Sequence, residues 1–183
     1  MKKGFVLLIV LFMAAAMAQP SVDGVINDGE YDSSYTHEDS GSVISWTIAG
    51  DTIYIGLSTE NDGWVGLGLL QEKVEKKQGA DQYLFVMDGG SLTALDMTQV
   101  DPKDSPAMDD EQGGSQSILE SAATLDGEVW TVEFSRKLDT GEATDMLITP
   151  GETFTLLLAK GKEMDKEEEH RKNRRWELED FAF

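Results

Sequence analysis

The stretch from Ser45 to Leu70, SWTIAGDTIYIGLSTENDGWVGLGLL, constrains the fold more than any other part of the chain. Ile44, Trp46 and Ile48 alternate with Ser45 and Thr47, the period of a strand buried on one face. Gly50-Asp51 turns the chain, and Ile53, Ile55 and Leu57 alternate again. Asn61-Asp62-Gly63 makes a second turn. In the third strand, Val65, Leu67 and Leu69 form one face, while Trp64, Gly66, Gly68 and Leu70 form the other. Glycine inside a strand weakens it and often marks close approach by a ligand or another backbone. Two readings follow: a flat ligand lies against the Gly66–Gly68 face, or a large side chain fills the space.

The remaining segments extend this pattern. Ser21–Tyr31 is rich in turn formers and reads as an N-terminal loop with a short strand. Residues 71–78, QEKVEKKQ, form a charged excursion before the strand QYLFVM, the turn Asp88-Gly89-Gly90 and a return strand, Ser91–Met97. Thr98–Gly114 reads as a long acidic loop. Ser115–Leu125 is compatible with a short helix or a strand. Asp126-Gly127 then starts a hairpin into EVWTVEFSRKL, and TFTLLLA and Trp176–Phe183 supply the last two strands. Roughly nine short strands with little helix predict an all-β sandwich.

Lys2 and Lys3, the apolar run Phe5–Met13 and the small-x-small site Ala16-Met17-Ala18 read as a secretory signal peptide over residues 1–18. Residues 19–183 then form a single domain with no membrane span after processing, placed outside the cytoplasm, secreted or periplasmic. There is no cysteine, so neither a disulfide nor a thiolate ligand is available. A formal net charge of −20 disfavours nucleic acid as a partner and favours cations or a cationic protein. No nucleophile–base constellation or dense carboxylate–histidine cluster is visible, and the chain is not read as an enzyme. Asp101, Asp104, Asp109, Asp110 and Glu111 offer oxygens to calcium but lack the spacing of a calcium loop, which points to a solvated acidic loop.

A set of motifs in fixed order carries a family resemblance: VDGVINDGEY, then W-x-I-x-GD-x-I-Y-I-x-L, GWVGLGL, Gly79-Ala80-Asp81, GG-x-Q-x-IL and DG-x-x-WTVEFSRKLDTG, followed by Asp145, Pro150-Gly151 and a late histidine, His170. From about Val22 to Phe183 the chain resembles the DOMON domain, named for the amino-terminal region of dopamine beta-monooxygenase, and is similar to the cytochrome domain of cellobiose dehydrogenase. The resemblance implies an immunoglobulin-like β-sandwich. It also implies either b-type haem with extracytoplasmic electron transfer, or binding of a carbohydrate or other small ligand.

In haem-binding relatives the axial ligands are a methionine two residues before the G-[AS]-D motif and a histidine near the C-terminus. Those positions hold Lys77 and His170 in this chain. A lysine ligates iron only as a neutral amine, and deprotonating it at pH 7 from a reference pKa near 10.4 costs roughly 4–5 kcal/mol. A desolvating pocket and the metal bond offset that cost. The resemblance implies His170, and Lys77 in departure from the family's methionine, as the iron ligands in a slot walled by Trp64, Gly66, Gly68 and Tyr83; the alternative is that both are solvated surface residues. Arg171, Lys172, Arg174 and Arg175 either pair with propionates or balance the acidic surface. A redox protein or a small ligand such as a carbohydrate is the expected partner.

Overall fold

The computed structural model describes residues 19–71, 77–101, 105–165, 170 and 174–183. The expected signal peptide and most of the charged excursion at 71–78 lie outside them. The chain is a sandwich of two antiparallel sheets. In chain order the strands are β1 (Ser33–His37), β2 (Ser42–Ala49), β3 (Thr52–Glu60), β4 (Val65–Leu70), β5 (Asp81–Asp88) and β6 (Ser91–Thr98). They continue with β7 (Ala107–Met108), β8 (Ile118–Asp126), β9 (Val129–Lys137), β10 (Phe154–Lys160) and β11 (Arg175–Phe181). One sheet runs β1-β2-β3-β9-β8 and the other β11-β10-β4-β5-β6-β7.

The alternation read from the sequence sets the core. Ile53, Ile55 and Leu57 on β3 and Trp130, Val132 and Phe134 on β9 meet Val65, Leu67 and Leu69 on β4, Tyr83 and Phe85 on β5, and Leu156 and Leu158 on β10. Trp64, Trp130 and Phe134 are buried as expected, but Trp46 is only half-buried. It lies at one end of the sandwich, where its ring packs edge-on against Phe181 and Phe183 at centroid distances of 5.4 and 5.8 Å.

Three local expectations change. No strand forms within 21–31; that segment crosses the outside of the first sheet instead. Its path fits Gly56, where an added Cβ would come within 2.7 Å of Ile26 Cδ1. The backbone N–H groups of Asp23, Gly24 and Val25 all donate to one oxygen of Glu133, and the Tyr31 hydroxyl donates to the other at 2.8 Å. Of the two readings of 115–125 the strand is the one that forms, as β8 from Ile118, and its alternation is faint because it is an edge strand with many exposed positions. The acidic segment 98–114 contains β7 and a 3-10 turn at Asp109–Gln112, and Asp109 is fully buried rather than solvated.

Candidate functional site

β4 divides two environments. Val65, Leu67 and Leu69 enter the core, which leaves Trp64, Gly66, Gly68 and Leu70 on the outer face of the six-stranded sheet. There Gly66 lies between Leu84 and Ala159, and Gly68 lies between Gln82 and Leu157. Leu70, Ala80 and Leu157 form a second apolar cluster on this face, separate from the core.

The glycine strip is lined rather than bare. A Cβ at Gly66 would meet Trp64 Cζ3 at 3.4 Å, and one at Gly161 would meet the same indole at 2.3 Å. A Cβ at Gly68 would meet Gln82 Cγ at 3.1 Å and Leu157 Cδ1 at 3.3 Å. The side-chain reading of the glycines thus holds at Gly66, whose space is taken by the indole of Trp64.

Lys77 and His170 both come to this face. His170 stands at the Gly66 end, its ring 6.5 Å from that of Trp64 and steeply inclined to it. Lys77 stands at the Gly68 end. It lies in the turn before β5 with a left-handed backbone, φ 65°, and its amine is 3.6 Å from Glu177 Oε1. Glu177 pairs in register with Leu157, which pairs with Gly68. Two residues of strand, roughly 7 Å, separate the two glycines. Burial holds the Lys77 pKa below the ordinary lysine value; Glu177 opposes that shift and the positive charge of Arg175 reinforces it.

Tyr83 belongs elsewhere. It pairs with Leu67 and shares its inward direction, so it does not line the slot the sequence suggested. Its hydroxyl donates to Asp81 Oδ2 at 2.9 Å and accepts from Arg136 Nη1 at 2.6 Å, inside the sandwich. The alternation of QYLFVM carried this information, because Tyr83 falls in phase with Phe85. Among the basic residues near His170, Arg174 is turned to Asp62 at 2.6 Å and to Asn61 at 2.9 Å, as charge balance. Arg175 remains exposed on β11, while Arg171 and Lys172 lie outside the described residues.

An imidazole and a partly desolvated amine flanking an apolar strip suit an iron porphyrin as donors. The left-handed backbone at Lys77, costly for a residue with a side chain, is the kind of local strain that functional sites retain. This fold is an all-β sandwich of the kind seen in cytochrome b domains. The cytochrome b domain of pyranose dehydrogenase from Coprinopsis cinerea superposes with a TM-score of 0.53 at 11% identity, covering 80% of each chain. The cytochrome domain of Myriococcum thermophilum cellobiose dehydrogenase gives 0.53 at 10% identity, covering 80% of this chain and 87% of that one. A sequence model of the DOMON domain matches residues 38–161, and the chain belongs to the DOMON domain family. No curated protein matches it.

Proposed function

We propose that this DOMON domain binds b-type haem at the outer face of its six-stranded sheet and serves as a non-catalytic electron-transfer module outside the cytoplasm. One observation carries the reading: Lys77 and His170, far apart in the chain, flank the same Gly66–Gly68 strip. The fold shared with cytochrome b domains supports it. His170 and Lys77 would hold the iron, and Trp64, Leu70 and Leu157 would keep water from it. Bound haem supplies one-electron iron chemistry. The protein's part is to keep Lys77 partly desolvated, which lowers the cost of a neutral amine. Arg175 is the described cation on this face that suits a carboxylate of the cofactor. The net charge of −20 favours a cationic redox partner. Among the described residues no helix is long and apolar enough to cross a membrane. The leader-like residues 1–18 support export.

A second reading rests on a groove of about 390 Å³ lined by Glu60, Asn61, Asp62, Glu128, Lys160, Arg174 and Trp176. One aromatic ring among charged and amide groups suits a carbohydrate. Trp64 and Tyr83, only 5% and 1% exposed, offer no stacking surface to a sugar.

Titrating haemin into the protein and three variants separates the readings. Wild type is expected to give a low-spin spectrum with a Soret shift, and His170→Ala to lose it. Lys77→Met keeps the low-spin form with a flatter pH dependence, because a thioether needs no deprotonation. Lys77→Ala leaves high-spin iron. No Soret shift in wild type, or the same shift in His170→Ala, overturns the haem reading. Glycan binding lost in Trp176→Ala would then establish the second.

A further inference from the structure

Four aspartates far apart in sequence meet where β5 and β6 reach the segments 105–117 and 138–153. Carboxylate oxygens of Asp81, Asp96 and Asp145 lie within 4.8 Å of one another. Asp109, from the 3-10 turn, sets its carboxyl against that of Asp145. Asp81, Asp96 and Asp109 are all 0% exposed.

Each of the first three acids is held by one oxygen only. Asp81 Oδ2 accepts from Arg136 Nη1, from the Tyr83 hydroxyl and from the Met146 N–H at 3.0 Å. Asp96 Oδ2 accepts the N–H and hydroxyl of Ser117 at 2.7 and 2.5 Å. Asp145 Oδ1 accepts from Thr144 at 3.4 Å. The other oxygens of two of them, Asp81 Oδ1 and Asp96 Oδ1, are buried with no hydrogen-bond donor, while Asp109 lies against Asp145 and Thr144. Buried carboxylate oxygens without donors are costly, and beside a single guanidinium the cluster needs either protons or a cation. Fixing one oxygen while turning the other inward is how surrounding groups orient metal ligands.

The loops are laced together here as well. A Cβ at Gly114 would fall 2.2 Å from Thr144 Oγ1, and the Ser115 N–H donates to Glu142 at 2.5 Å. These contacts hold the loops against the carboxylates, with Arg136 bonded to Asp81.

We infer that Asp81, Asp96 and Asp145, with Asp109 beside Asp145, form a binding site for one calcium ion, which pins the two loops to the ends of β5 and β6. The donor set is all oxygen, which disfavours zinc and copper. Three carboxylates within reach of one ion, with Asp109 adjacent, supply oxygens toward the six to eight ligands calcium takes. Magnesium retains several waters and is poorly served by such a cluster. The site lies inside the sandwich, away from the Gly66–Gly68 face, and stands independently of the haem reading.

The test uses the full chain stripped with a chelator, titrated calorimetrically with Ca2+ and with Mg2+, and followed by thermal unfolding. Wild type is expected to bind one Ca2+ per chain with a saturable rise in Tm, and Mg2+ at least tenfold more weakly. Asp109→Asn and Asp145→Asn should weaken Ca2+ binding at least tenfold and lose the Tm rise. In chelator above about pH 8, where the cluster is ionised, both should unfold at or above the wild-type temperature, because each removes a like charge. An aspartate with a merely structural role would instead lower Tm in chelator. Asp110→Asn, at an exposed neighbour, should bind as wild type does. Absence of stoichiometric Ca2+ binding in wild type overturns the site and leaves the cluster holding protons. Unchanged binding in Asp109→Asn and Asp145→Asn, or tighter binding of Mg2+, overturns it equally.

Discussion

Glu133 shows how much one side chain can organise. It sits on the outward face of β9, where alternation alone predicts a solvated acid, yet it is 0% exposed. The N-terminal segment folds over it and satisfies both oxygens with three backbone N–H groups and the Tyr31 hydroxyl. Tyr31 is in turn held far above the ordinary phenol value by burial and by this carboxylate. Glu133→Gln replaces one acceptor oxygen by a donor NH2 and leaves at least one buried partner unsatisfied. A loss of roughly 1–3 kcal/mol is expected from urea unfolding. Tyr31→Phe removes a single hydrogen bond and should cost about 1 kcal/mol.

At the scale of elements, β9 is the spine of the first sheet, paired along its length with β3 and β8. Trp130 anchors it: the ring is fully buried and its indole N–H donates to the Gly63 carbonyl at 3.1 Å, tying β9 to the turn before β4. Trp130→Ala should therefore cost roughly 3–5 kcal/mol in chemical denaturation. A loss below about 1 kcal/mol, the surface range, would mean that the ring does not anchor the strand. β1 and β8 behave differently. They are edge strands whose pairing rests on backbone hydrogen bonds more than on side-chain burial, which is why their polar sequences carry a weak signal.

For the whole molecule, the carboxylate cluster links stability to pH. Burial, opposed by Arg136 and reinforced by Asp96, raises the Asp81 pKa to about 7. Burial and the adjacent Asp145 raise that of Asp109 to about 8. Both values lie above those of the unfolded chain, so the folded state binds more protons between about pH 4 and pH 8. Without a cation, stability should fall as pH rises through that window. Urea midpoints in chelator at pH 5 and pH 8 check the sign. Asp109→Asn should flatten the slope, which a change in ionic strength would not do for a buried group.

Much of this architecture was legible in the sequence because burial on one face of a strand imposes a period of two. Ile53, Ile55 and Leu57, Val65, Leu67 and Leu69, and Trp130, Val132 and Phe134 announce their own directions. The ordered motifs brought out the family, and with it the expectation that Lys77 and His170 form a pair. What the sequence lacked was any means of seeing contacts between distant segments. Tyr83 was in phase with the core, but only Arg136 and Asp81 beside it explain why a phenol is buried there. Asp109 looked like one more acid in a polar loop, and Asp81, Asp96 and Asp145 belong to segments that share no local pattern. Their carboxylates meet because β5 pairs with β6 and two loops close over the ends. Local periodicity determines which face of a strand is apolar. Only the pairing of strands and the closure of loops decides which charges are brought together away from water.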